Sequence, residues 1–130
     1  MNQTPKKPTA LIVDDDPLIL EALSLILAEL DFDIIARGED GQEAVTLFRQ
    51  HQPDLTILDI EMPYMDGIDA LKIIRQESPN SRIAMLTATD PKQTLDFSFD
   101  AGAIDFIRKG QDTPRLIAEI EEIKQKNFGR

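Results

Sequence analysis

Four short apolar runs in this chain each stop at residues able to carry charge or a proton, and helix-like segments separate the runs. Residues 10–13 lead into Asp14, Asp15 and Asp16; residues 55–58 end at Asp59; residues 83–86 end at Thr87; residues 104–107 come just before Lys109. Strand-like runs alternating with helical segments are the pattern of a parallel sheet covered on both faces. In such a sheet the ligand crevice lies at the carboxyl ends of the strands, so the acids, the hydroxyl and the ammonium converge on one pocket. A pocket of that composition suits a divalent cation and a phosphoryl group.

The helical segments follow from spacing and punctuation. Residues 17–30 start with Pro17 at a first-turn position and repeat leucine at 20, 23, 27 and 30, which predicts a buried leucine face. Residues 34–36 read as a short second strand. Residues 41–50 form a helix with Ala44, Val45, Leu47 and Phe48 facing inward, stopped by Pro53. The third helix follows the turn 62–67, runs through Glu77 and ends at Ser78-Pro79-Asn80. The fourth, residues 91–100, closes at Gly102 and carries alternating Phe97 and Phe99. Thr113-Pro114 opens the fifth, with Leu116, Ile117, Ile120 and Ile123 buried and Glu119, Glu121, Glu122 and Lys124 on a wet side. Five strands and five helices in strict alternation predict an α/β, doubly wound (βα)5 three-layer sandwich of flavodoxin-like type with parallel strand order 2-1-3-4-5. Its switch point falls between the strands that end in Asp14-Asp15 and in Asp59.

Composition narrows the function classes. At 130 residues the chain makes one domain. Fourteen basic against 24 acidic residues give a net charge of −10, and with no basic stripe the reading excludes direct nucleic-acid binding and an anionic membrane surface. Cysteine is absent, so neither disulfides nor thiolate metal sites contribute. No apolar stretch reaches membrane-spanning length, and the expectation is a cytoplasmic protein.

Carboxylates placed side by side raise one another's pKa unless a cation sits among them. Oxygen ligands with room for water favour Mg²⁺ or Mn²⁺. Asp59, alone at its strand end, is the candidate nucleophile toward phosphorus, and Asp14 and Asp15 are the candidate metal ligands, Asp14 directly or through water. Lys109 offers an ammonium to the carboxylate at rest and to phosphoryl oxygens afterwards, while the Thr87 hydroxyl can donate only once such an oxygen exists. Each residue also has a plain structural role open to it. Asp16 reads as a helix N-cap, Asp59 alone could be a turn residue, and Thr87 and Lys109 alone are ordinary. His51 reads as solvated, and Tyr64 and Met65 as loop residues that pack locally.

The conjunction of Leu11-Ile-Val-Asp-Asp-Asp-Pro17, Asp54-Leu-Thr-Ile-Leu-Asp-Ile-Glu-Met-Pro63, Met65-Asp-Gly67, Thr87-Ala88 and Phe106-Ile-Arg-Lys109 resembles the receiver domain of two-component response regulators over residues 8–126. This leaves an arm at 1–7 and a tail at 127–130. The resemblance implies Asp59 as phospho-acceptor, with Mg²⁺ held by Asp14, Asp15, Asp59 and the backbone carbonyl of Glu61. It further implies phosphoryl contacts from Thr87 and Lys109, and Phe106 as the aromatic that moves with Thr87. The donor is then a histidine kinase or a histidine phosphotransfer protein.

Two positions depart from the family pattern. Gly110 stands where such domains usually carry proline after the lysine, often with a cis bond, so the Lys109–Gly110 bond is either trans or held cis by other contacts. The switch aromatic is Phe106 rather than tyrosine.

The resulting expectation is a stand-alone, phosphorylation-controlled signalling module that catalyses only its own aspartyl phosphorylation and dephosphorylation. Output would pass to a protein partner or a homodimer through the face of the fourth helix, fifth strand and fifth helix, including Leu95, Phe97 and Phe99. A fragment of a longer regulator is the alternative to a stand-alone chain. The rival functions are a small Mg-dependent phosphatase of haloacid dehalogenase type, with Glu61 as its second acid, and a receiver-like scaffold that is never phosphorylated.

Overall fold

The computed structural model describes residues 6–88, 96 and 98–129. In chain order the elements are β1 (Thr9–Val13), α1 (Pro17–Glu29), β2 (Asp33–Gly38), α2 (Gly41–His51), β3 (Leu55–Asp59), α3 (Gly67–Glu77), β4 (Ile83–Thr87), β5 (Asp105–Arg108) and a C-terminal helix (Thr113–Phe128). The strands form one sheet in the order β2-β1-β3-β4-β5, with every pair parallel. The expected α/β topology is the one found.

Burial explains why the central strands lack a polar alternation. Every residue of β3 and β4 is buried, because helices cover both faces of the sheet. On one face Leu20, Leu23 and Leu27 of α1 and Ile120 and Ile123 of the C-terminal helix pack on Ile12, Ile57 and Leu86. On the other, Phe48 of α2 and Leu71 and Ile74 of α3 pack on Leu11, Leu58 and Met85. Fully burying one such side chain contributes about 1.5–3 kcal/mol, so these two layers supply most of the driving force. The edge strand β2 is only partly buried and takes one extra residue: Ala10 faces Ile34 while Leu11 faces Ala36, leaving Ile35 as a bulge.

All four helices with defined starts are capped the same way. The carboxylates of Asp16, Asp40, Asp66 and Asp112 accept from the backbone N–H groups of Leu18, Glu43, Asp69 and Arg115. A cap of this kind typically stabilises by about 1 kcal/mol. Each of the four caps follows a strand of the parallel sheet, so all four lie on the side of the sheet where the strands end.

Several expectations change. Leu30 is only half-buried, because α1 ends at Glu29 and Leu30 is its C-cap. Glu119 and Lys124 are also half-buried, with Lys124 Nζ lying 5.8 Å from the centre of the Phe32 ring. Tyr64 does not pack locally: it is 91% exposed, whereas Met65 packs against the α2–α3 layer. The last strand is Asp105–Arg108, one residue later than the apolar run. Within the predicted fourth helix, residues 98–100 are helical, and Gly102 ends the turn with φ +110° and an N–H bond to the Phe99 carbonyl at 3.0 Å. Leu95 and Phe97 lie outside the described residues. Among the described residues no helix is long and apolar enough to cross a membrane.

Candidate functional site

Strand register decides which residues meet. In β1 and β3 Val13 faces Leu58, so Asp14 and Asp59, the residues that follow, come side by side where the two strands end. Asp59 in turn faces Leu86, and Thr87 follows. Lys109 is placed from the far side, its N–H donating to the Thr87 carbonyl at 2.9 Å.

The side chains complete a compact cluster. Lys109 Nζ lies 2.7 Å from Asp14 Oδ2 and 3.0 Å from Asp59 Oδ1. Asp14 is fully buried, and its Oδ1 accepts from the Asp16 N–H at 2.8 Å. Its Oδ2 has no hydrogen bond of regular geometry, so the nearby ammonium is its counter-charge. Carboxylate oxygens of Asp14, Asp15 and Asp59 come within 4.8 Å of one another, with Asp15 exposed and the other two buried. The predicted Asp14, Asp15, Asp59 and Lys109 are therefore brought together. Thr87 is buried at the end of β4, and Glu61 is exposed in the loop after Asp59.

Burial raises the Asp59 pKa to about 6; the Lys109 hydrogen bond opposes this, and the charge of Asp14 reinforces it. For Lys109 burial acts to lower the pKa, but the close contacts and charges of the Asp14 and Asp59 carboxylates outweigh it, and the ammonium keeps its proton more firmly than usual. One cation thus serves two carboxylates in a buried place. A second positive charge would relieve the remaining repulsion, and three convergent carboxylate oxygens are a donor set suited to a hard divalent cation.

Two supports escaped the sequence reading. A Cβ on Gly67 would lie 1.9 Å from the Asp59 carbonyl oxygen, so α3 can start against the acidic strand end only with glycine there. Phe99 meets Phe106 edge to face, with ring centres 4.7 Å apart and planes at 73°. The first had a signal in Asp66-Gly67, a cap followed by glycine; the second had none, since the two rings join only through the fold. Phe106 itself stands across from Met85, while Thr87 faces Arg108. Phe106 and Thr87 are therefore diagonal neighbours on one face of the sheet. The Lys109–Gly110 bond is trans, and a Cβ at 110 would meet nothing within 4 Å.

Residues 10–121 match the response regulator receiver domain. The chain belongs to that family. As a receiver it is similar to the chemotaxis protein CheY of Bacillus subtilis, 38% identical over 112 residues covering 86% of this chain and 93% of CheY. An uncharacterized response regulatory protein of Vibrio cholerae is 38% identical over 96% of this chain, which spans only 47% of that protein. Among solved structures, the CheX–CheY–BeF3–Mg²⁺ complex of Borrelia burgdorferi superposes with a TM-score of 0.83 at 33% identity, covering 88% of this chain and 87% of the other. Receiver domains are signalling modules of two-component systems and are not in themselves enzymes.

Proposed function

We propose that this receiver accepts a phosphoryl group on Asp59 in a Mg²⁺- or Mn²⁺-dependent reaction and thereby switches a protein-binding surface. The observation that carries the reading is the placement of Lys109 Nζ between Asp14 Oδ2 and Asp59 Oδ1 at 2.7 and 3.0 Å. This is a resting ion pair whose cation can be passed to an incoming anion.

The donor is a phosphohistidine on a histidine kinase or a phosphotransfer protein. An Asp59 carboxylate oxygen forms the new bond to phosphorus while the nitrogen–phosphorus bond breaks, its electron pair returning to the imidazole. With a pKa of about 6, Asp59 is largely ionised at neutral pH and ready to attack. Asp14, Asp15, Asp59 and the Glu61 carbonyl would hold the metal ion, which neutralises phosphoryl oxygens when bound. Lys109 leaves Asp14 and pairs with a phosphoryl oxygen, and the Thr87 hydroxyl donates to another. Phe106, diagonal to Thr87, then turns toward the space that Thr87 vacates and carries the change to Phe99.

The working unit is residues 8–126, in the cytoplasm, and the output partner or second copy docks on the face of the fourth helix, described at residues 98–100, with β5 and the C-terminal helix. Metal titration tests the site. Asp15→Asn removes an exposed charged ligand and should weaken Mg²⁺ binding, with Asp14→Asn doing so to a similar or lesser degree. Unchanged affinity in both would remove the acidic pocket from the account.

A further inference from the structure

The side chain of Gln111 closes a turn around Lys109. Its Nε2 donates to the Arg108 carbonyl at 3.1 Å, spanning the three-residue step that a backbone N–H spans in a β-turn, so Lys109 and Gly110 become the central residues. The same amide donates to the Glu119 carboxylate of the C-terminal helix. An amide NH2 carries two hydrogens, and here each has an acceptor. Both acceptors belong to firm parts of the fold: Arg108 is the last residue of β5, and Glu119 stands next to Ile120, which is fully buried in the core.

The segment between those parts needs a tie. Gly110 has no side chain to pack, a Cβ there would meet nothing within 4 Å, and glycine loses more conformational freedom on ordering than any other residue. Its neighbour Lys109 must nonetheless hold an ammonium 2.7 Å from Asp14 Oδ2 and 3.0 Å from Asp59 Oδ1. On entry the loop is fixed by the Lys109 N–H on the Thr87 carbonyl, and on exit by the Asp112 cap on the Arg115 N–H at 3.0 Å. Gln111 secures the interval between these points. Its bond to Glu119 is charge-assisted, roughly twice as strong as one between neutral groups, and is the firmer of its two anchors.

We infer that Gln111, anchored on Glu119, is the positioning residue of Lys109: it holds the turn 108–111 so that the ammonium stands between Asp14 and Asp59 at rest and is aimed at a phosphoryl oxygen after transfer. The second half of this inference rests on the reading of Asp59 as acceptor; the first half concerns the resting protein alone. The hydrogen bonds of Gln111 go to the strand end and the helix, so its effect on the pocket passes through Lys109.

Two measurements on the full chain test it, with thermal melting to verify folding. In the resting protein, ¹H–¹⁵N spectra of the lysine ammonium groups report how fast each exchanges hydrogens with water, and Lys109→Arg assigns the Lys109 resonance by its loss. Gln111→Leu, similar in size but without a donor, should speed exchange at Lys109 several-fold. Glu119→Ala should act in the same direction, and it carries the test alone should Gln111→Leu not fold. Arg49→Leu, which breaks the exposed pair with Glu77 between α2 and α3, controls for general loosening and should leave Lys109 unchanged. In the second measurement, acetyl phosphate with saturating Mg²⁺ should label Gln111→Leu on the order of tenfold more slowly than wild type, within the ~hundredfold that a 1 Å misplacement can cost.

Unchanged exchange at Lys109 in both Gln111→Leu and Glu119→Ala would overturn the inference. So would a wild-type Lys109 ammonium that exchanges as fast as that of exposed Lys72. A loosened ammonium with labelling at the wild-type rate would remove Gln111 from the reaction and overturn it equally. Failure of acetyl phosphate to label wild type at all would instead bring down the acceptor reading, while the exchange rates still decide whether Gln111 positions Lys109.

Discussion

Gly67 presses directly on the backbone of Asp59: a methyl group there would sit 1.9 Å from the Asp59 carbonyl oxygen and 3.0 Å from the Ile60 Cα. Backbone on backbone leaves no flexible side chain to yield. Gly67→Ala should therefore destabilise by on the order of 2 kcal/mol and slow labelling of Asp59, as forced overpacking does elsewhere. Gly110→Ala is the matched control, because its Cβ meets nothing within 4 Å and its φ is not in the left-handed region. Urea melts of both variants check this; equal stabilities would contradict the close approach.

The Asp59 pKa of about 6, against 3.8 for the free side chain, has a definite sign in stability. Between those values the folded protein holds a proton that the unfolded chain has released. The favourable contribution is therefore present below about pH 4 and is lost as pH rises toward 6. Asp59→Asn cannot ionise and escapes the loss. Without Mg²⁺ it should be more stable than wild type at pH 7.5 by about 1–3 kcal/mol, with the difference shrinking toward pH 4. Denaturant melts across that range measure it, and a difference independent of pH would show that Asp59 ionises normally.

Among the described residues Lys109 is the cation paired with Asp14 and Asp59, so Lys109→Met leaves two buried carboxylates facing each other. It should lower stability at pH 7.5 by roughly 3 kcal/mol, the cost typical of removing one partner of a buried ion pair. Mg²⁺ should restore part of the loss and raise the melting temperature of the variant more than that of wild type. Identical Mg²⁺ shifts would mean that the ion and the ammonium do not share the pocket.

Phe99 and Phe106 should couple. An edge-to-face pair contributes about 0.5–1.5 kcal/mol beyond its buried area, so a double-mutant cycle with Phe99→Leu and Phe106→Leu should return a coupling in that range. In the phosphorylated state the coupling should weaken as Phe106 turns toward the Thr87 side. An unchanged coupling would place the output path elsewhere.

The ends of β1, β3 and β4 were legible because a parallel strand buried on both faces is written as an unbroken apolar run, and the residue that breaks the run marks the pocket edge. Asp14, Asp59 and Thr87 were found that way. Asp16 was legible as a cap because proline follows it. What the sequence hid depends on contacts between distant segments. Lys124 reads as a wet helix position, yet its ammonium lies over the Phe32 ring. The bulge at Ile35 arises from pairing with β1, and the exposure of Tyr64 from hydrogen bonds that set its turn from outside. The trans bond after Lys109 settles a choice that glycine at 110 left open.

Intact-mass spectrometry after incubation with acetyl phosphate and Mg²⁺ tests the central claim most directly. Wild type should gain the mass of one phosphoryl group, lost on treatment with base as an acyl phosphate would be, and Asp59→Asn should gain none. Equal labelling of the Asp59→Asn variant, or no labelling of wild type with metal present, would contradict the assignment of Asp59 as the phospho-acceptor.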